Sequence, residues 1–149
     1  MYNENGMMVG VTPYLIVKGA EQAIAFYKEA FGAEETFRIT DPAGRIGHAD
    51  LSLAGGAFML ADEGPDFGAL SPATIGGTPV KLCINVEDAD AVVARAERAG
   101  ATVLRPVQDQ LHGLRSGMIA DPFGHQWFIG TPIEDVTPEE MQARYSATR

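Results

Sequence analysis

The chain is poor in the features that mark nucleic-acid binding, membrane insertion or secretion. Only 11 of its 149 residues are Lys or Arg against 20 Asp or Glu, a formal charge of −9 at neutral pH. Neutralising phosphates takes clustered cations, and no cluster occurs, so no nucleic-acid partner is expected. No apolar run approaches the roughly 20 residues of a membrane span, and no basic start leads into an apolar stretch. A cytoplasmic protein without a membrane partner is therefore the expectation. The single cysteine, Cys83, has no intramolecular disulfide partner, and in the apolar run VKLCINV it reads as a buried structural thiol. The nucleophile elbow GxSxG, the phosphate loop GxxxxGK[ST] and the zinc-protease HExxH are all missing.

What the chain does have is an internal repeat. Val11 to Glu35 and Val80 to Val103 share one design, a strand and then a helix whose apolar positions recur at helical spacing. In the first helix these positions are Ala20, Ala23, Ile24, Tyr27, Ala30 and Phe31; in the second, Ala89, Val92, Val93, Ala96 and Ala99. Gly32 and Gly100 end the helices, each followed by Ala, and Asp88 is placed to cap the second. Each half continues through a turn into two short strands, HADLSL and AFMLA in the first, RSGMIA and HQWFIG in the second. The pattern is β-α-β-β-β twice, at an offset of 67 to 69 residues. A single α+β domain over 1–149 is expected, with modules at 10–63 and 80–132 and a Gly/Pro-rich linker at 64–79. The capping box Thr137-Pro-Glu-Glu140 starts a C-terminal helix over 137–146.

The two modules, the helix ending that contains Phe26, Tyr27, Phe31, Gly32 and Ala33, and the hairpin Asp121-Pro-Phe-Gly-His125 with Trp127 together resemble the vicinal oxygen chelate (glyoxalase/bleomycin resistance/dioxygenase) superfamily over about residues 8 to 145. The run from His112 to Arg144 is most similar to its PhnB-like subgroup. The resemblance implies a cupped mixed sheet built from both modules, helices on its convex face, a site in the concavity, and a homodimer. It also implies one metal ligand on each of four strands, at positions that align with Thr12, Leu60, Lys81 and Phe128. None of these offers imidazole, carboxylate or thiolate, and Lys81 adds a positive charge, so a divalent metal is disfavoured and no cofactor is expected.

Strand parity then nominates a ligand site. In HADLSL the apolar Ala49, Leu51 and Leu53 share the helix-facing side, leaving His48, Asp50 and Ser52 on the other. Matching His48 to Arg115 in the second half lines the expected cup with Thr12, Tyr14, His48, Asp50, Phe58, Leu60, Lys81, Asn85, Arg115, Gln126 and Phe128. His48 is the first acid/base candidate, with Asp50 or Lys81, although Asp50 two residues along the strand is about 7 Å away and out of direct reach unless the side chains lean together. His125 reads as a hairpin residue holding its own turn, and His112 as a loop histidine. The mixed wall suits an aromatic or apolar compound carrying an anionic or carbonyl group, with Lys81 and Arg115 gripping an anion. The first functional reading is therefore a metal-independent small-molecule binding protein. The alternative is a lyase, isomerase or dioxygenase using a relocated metal or a metal-free acid/base site.

Overall fold

The computed structural model describes residues 2–7 and 9–148, so Met1, Met8 and Arg149 of the expected 1–149 domain lie outside the described residues. Along the chain run β1 (Tyr14–Val17), α1 (Ala20–Phe31), β2 (Glu34–Thr40), β3 (Ile46–Leu53) and β4 (Gly56–Asp62), then a 3-10 turn (Pro65–Phe67) and the short helix α2 (Pro72–Ile75). The second half repeats the order with β5 (Lys81–Asn85), α3 (Ala89–Arg98), β6 (Thr102–Asp109), β7 (Leu114–Ala120) and β8 (Gln126–Pro132), and α4 (Pro138–Ser146) closes the chain. The class is α+β, with the repeated module that the resemblance implies. The modules form two separately hydrogen-bonded four-stranded sheets, ordered β1-β4-β3-β2 and β5-β8-β7-β6, rather than one continuous sheet. In each, the strand before the helix pairs parallel with the last strand, and the other neighbours are antiparallel. A parallel pair needs a long crossover, which α1 and the hairpins after it provide.

The helices start where strand ends supply acceptors. Gly19 leads into α1 at φ 99° with no side-chain cap of its own. Asp62, at the end of β4, accepts instead from the Gly19 and Ala20 N–H groups at 3.2 and 2.7 Å, and from Ile46 N–H at 2.8 Å. In the second module Thr131 of β8 accepts from Ala89 N–H at 2.8 Å, while Asp88 caps the Ala91 N–H at 3.0 Å. Orphan donors at both helix starts are thus satisfied from the far end of the same module, which ties helix to sheet.

The core forms where α1 and α3 pack on each other and on their sheets. Fully buried alanines at 20, 23, 30 and 96 carry little bulk, and Arg95 of α3 donates through Nε to the Ala30 carbonyl at 2.9 Å. Around this contact sits an aromatic cluster drawn from both modules, with Trp127 at 4.9 Å from Phe31, 5.5 Å from Tyr27 and 5.7 Å from Phe58 between ring centroids. Burying such side chains contributes roughly 1.5–3 kcal/mol each.

Within the cluster lies one carboxylate. Asp121, 4% exposed, accepts from the Tyr27 hydroxyl, from Trp127 Nε1–H at 2.9 Å, and from the Phe123 and His125 N–H groups at 2.9 and 3.0 Å. A buried charge is tolerable when its lone pairs are occupied in this way. His125 does more than hold its own turn, because its Nε2–H donates to the Ile16 carbonyl of β1 at 2.9 Å, across the module boundary.

Asp121→Ala orphans the Tyr27 and Trp127 donors together and should lower the unfolding free energy in urea by roughly 3–4 kcal/mol, against about 1–2 kcal/mol for Tyr27→Phe. Burial, reinforced by the Asp121 charge, pushes the Tyr27 hydroxyl well above its ordinary value of 10.0. Below pH 10 folded and unfolded chains both keep that proton, whereas above it only the unfolded chain releases it readily, so stability falls as pH rises beyond about 10. In an absorbance titration of the four tyrosines, Tyr27 should ionise only as the protein unfolds.

Candidate functional site

Each sheet has one face against the helices and one open face, and the pairing register assigns every side chain to one or the other. Leu51 pairs with Phe58 and Ala49 with Leu60, so Phe58 (4% exposed) and Leu60 (0%) point into the core rather than into a cup. This corrects both placements. The strand β4 reads Ala57-Phe58-Met59-Leu60-Ala61, apolar throughout and so without a parity signal, and an error of one residue reverses every side chain. Met59, paired with Tyr14 and Asp50, is the residue on the open face. Arg115 is likewise corrected. It pairs with Thr131 on the helix side and is held by Asp90 at 2.8 Å and Asp109 at 3.0 Å, so it is not available to a ligand on the open face. Register equates His48 with Ser116. Cys83, expected to be buried, is exposed on the open face between Lys81 and Asn85, because β5 turns Leu82 and Ile84 inward.

On the open face of module 1 the structure assembles a chain of three side chains. His48 Nε2 lies 2.7 Å from Asp50 Oδ1, and His48 Nδ1 lies 2.9 Å from the Tyr14 hydroxyl. His48 and Asp50, two residues apart on β3, are bridged because the imidazole leans along the strand. A charged Asp50 only accepts, so Nε2 carries the proton and Nδ1 accepts from the Tyr14 O–H. The Tyr14 ring meets the imidazole edge-on at 5.3 Å, and Phe37 of β2 lies 6.3 Å from it. Partial burial, and then the Asp50 charge, raises the Tyr14 hydroxyl above its ordinary value, so it holds its proton at neutral pH. Phe37 and the role of Tyr14 in this chain escaped the sequence reading, since a register between strands is needed to see them.

Tyr14 also opens onto a cleft of about 670 Å³, walled by Ile16, Ile46, Ala61, Phe67 and Ala69, with Arg45 at its edge paired to Asp41. The acids on it are already engaged. Asp41 accepts from the Ala43 and Arg45 N–H groups at 2.9 Å each, Asp62 caps α1, and Glu63 accepts from Ser71 N–H at 3.0 Å. Those backbone bonds hold the Asp41 and Glu63 carboxyls below their ordinary range.

The remaining expected residues divide among other places. A groove of about 550 Å³ between the modules takes in Lys81 and Asn85 beside Phe58 and Trp127. A smaller cleft of about 220 Å³ on the open face of module 2 is lined by Asn85 and Phe128 with Arg105, His112, Leu114 and Ser116. Gln126 pairs with Lys81 on that face, and Thr12 precedes β1. Arg105 donates through Nη2 to Ser116 Oγ at 3.1 Å and lies 5.8 Å from the Phe128 ring centre. Sequence reading missed Arg105 because a register shift between Val103 and Arg105 breaks the alternation of β6.

The positions that the resemblance assigns to a metal do not suit one. Leu60 is in the core, Met59 beside it offers only a soft thioether, Phe128 has no donor and Lys81 is a cation. Among the described residues no group of three or more His, Cys, Asp or Glu is placed to hold an ion.

Known proteins fit this geometry. Residues 8–129 match the family profile described as the glyoxalase/bleomycin resistance protein/dioxygenase superfamily. The uncharacterized protein Rv0887c of Mycobacterium tuberculosis is 43% identical over 140 residues, which cover 92% of this chain and 82% of that one. The At5g48480 protein of Arabidopsis thaliana is 30% identical over 129 residues, 80% of this chain and 76% of that one, and its crystal structure superposes with a TM-score of 0.67 over 83% of this chain and 99% of that one. TioX from Micromonospora sp. ML1 gives a TM-score of 0.64 at 28% identity, covering 87% of this chain and all (100%) of that one. With the repeated module, the capped helices and the two sheets in place, the chain belongs to the glyoxalase/bleomycin resistance protein/dioxygenase superfamily.

Proposed function

We propose that the chain is a metal-independent small-molecule binding protein of the glyoxalase/bleomycin-resistance type, in its PhnB-like subgroup, whose main ligand occupies the cleft beside Tyr14. One observation carries this reading. A cleft of about 670 Å³ has an apolar wall, one hydroxyl from Tyr14, which His48 and Asp50 orient, and the charged Asp41, Arg45, Asp62 and Glu63, each already bonded or paired within the chain. A pocket of that size with one oriented polar group is the usual form of a small-molecule site. While Tyr14 donates to His48 Nδ1, its oxygen accepts from a ligand O–H or N–H; turned from His48 toward a ligand, the same hydroxyl donates to a carbonyl. An aromatic or apolar body with a carbonyl group suits this wall, while three acids, Asp41, Asp62 and Glu63, against one cation, Arg45, disfavour an anion there.

The same chain of side chains favours a second reading, an isomerase or lyase that moves a proton through Tyr14 and His48 without metal. The two separate cleanly. Under the binding reading His48→Ala changes only affinity; under the enzymatic one it abolishes turnover while ligand is still bound.

Protein purified without chelator should carry no stoichiometric metal, and a thermal-shift screen of aromatic carbonyl compounds should yield ligands whose affinity falls about tenfold in Tyr14→Phe. Bound metal in stoichiometric amount, or ligands indifferent to both Tyr14→Phe and Phe67→Ala, would overturn the proposal. A homodimer is the assembly we infer in solution, supported by the superfamily resemblance and by Phe37 and Ile39, which are 50% and 52% exposed on the open side of β2. Light scattering should give twice the chain mass, and Ile39→Lys should shift it toward the monomer.

A further inference from the structure

We propose that the small cleft on the open face of module 2 is a separate binding site for a one-ring aromatic carboxylate, held by Arg105 against Phe128. The argument begins with charge. In a chain of net charge −9, the guanidinium groups of Arg38, Arg45, Arg115 and Arg144 are all bonded to carboxylates. Arg95, Arg98 and Arg105 have no carboxylate partner among the described residues, but the first two are exposed and Arg95 donates to the Ala30 carbonyl. The Arg105 guanidinium meets only the neutral Ser116 hydroxyl and the Phe128 ring among the described residues. It is half-buried, and the cleft it lines contains no Asp or Glu. A partly desolvated cation without a counter-charge carries a cost that a ligand carboxylate offsets.

The geometry narrows the ligand. Ser116, 4% exposed, takes one of the two Nη2–H groups, which leaves the other Nη2–H, paired with Nε or with Nη1, as a two-donor face for an incoming carboxylate. Asn85 and His112 add polar groups at the wall, and Phe128 and Leu114 supply apolar surface for a ring. At about 220 Å³ the cleft lies below the range of roughly 300–1,000 Å³ typical for larger ligands, so the molecule is small.

The repeat supplies an independent reason. Phe58 and Trp127 are equivalent core residues, which makes Met59 equivalent to Phe128. Following the pairs outward, Asp50 matches Met118 and Phe37 matches Arg105. Where module 1 has an acid facing an aromatic residue, module 2 has an apolar residue facing a cation. The two clefts also differ in charge, with three acids and Arg45 around the Tyr14 cleft and Arg105 without an acid around the other.

The test uses the full chain and benzoate as the probe, followed by calorimetry and by amide NMR. Benzoate should bind saturably, weaken with added salt, and perturb the amides of Ser116, His112 and Gly130. Benzamide, the neutral analogue, and acetate, which lacks the ring, should each bind about tenfold more weakly. Arg105→Gln should weaken benzoate by at least about tenfold, and Arg105→Lys by an intermediate factor because it keeps the charge and loses the fork. Arg115→Gln and Tyr14→Phe should leave benzoate binding unchanged, so failure here is distinct from failure of the reading at the Tyr14 cleft. Absence of saturable binding, equal affinity for benzoate and benzamide, or perturbations centred on Tyr14 would each overturn the proposal. If Arg105→Gln does not fold, the benzoate and benzamide comparison in the natural chain and the Arg105→Lys variant decide it.

Discussion

A carboxylate buried at the junction of two repeated halves is the constraint around which this molecule is arranged. Asp121 belongs to the β7–β8 hairpin of the second module, yet one of its donors is Tyr27 from the helix of the first. A charge in that position is tolerable only while Tyr27, Trp127 and two backbone N–H groups all point at it, so those groups are fixed relative to one another. The hairpin also carries His125, whose imidazole holds the Ile16 carbonyl of β1. Together they set how the modules meet, and no strand-to-strand pairing between the sheets is required.

Docking through helices and aromatic rings has a functional result. Each module keeps its own open sheet face, and the repeat lets the two diverge without disturbing the core. In module 1 the face carries His48, Asp50 and Tyr14, a hydrogen-bonded chain that can orient a hydroxyl or pass a proton. In module 2 the equivalent strands carry Ser116, Met118 and Cys83, with Arg105 at the position of Phe37. The central helix-facing positions, Ala49, Leu51, Phe58 and Leu60 in one sheet and Ile119, Trp127 and Ile129 in the other, stay apolar, because each sheet must bury that side whatever its open face does.

Much of the fold was legible in the sequence. The helix stripes from Ala20 to Phe31 and from Ala89 to Ala96, the Asp88 cap, the glycine after α1 and the polar alternation of β3 are local signals, each set by a few neighbouring residues. His48, Asp50 and Tyr14 were legible as site candidates for the same reason. Phe58, Leu60, Arg115 and Cys83 were misplaced. In β4 the run from Ala57 to Ala61 is apolar throughout, so alternation carries no information. In β7 the match to the first module slipped by one residue, and at period two that places Arg115 on the wrong face. The linker reading likewise missed the 3-10 turn and α2 between residues 64 and 79.

The sequence by itself determined that the chain folds as two βαβββ modules, with α1 and α3 each burying one stripe and β3 turning His48 and Asp50 away from the core, because periodicity and capping act over a few residues. Only the tertiary structure decided that Tyr14 meets His48, that Asp121 binds Tyr27, and that Arg105 stands without a carboxylate beside Phe128. Those contacts join residues far apart in the chain, and they depend on strand register and bulges that hydrophobic pattern alone does not encode.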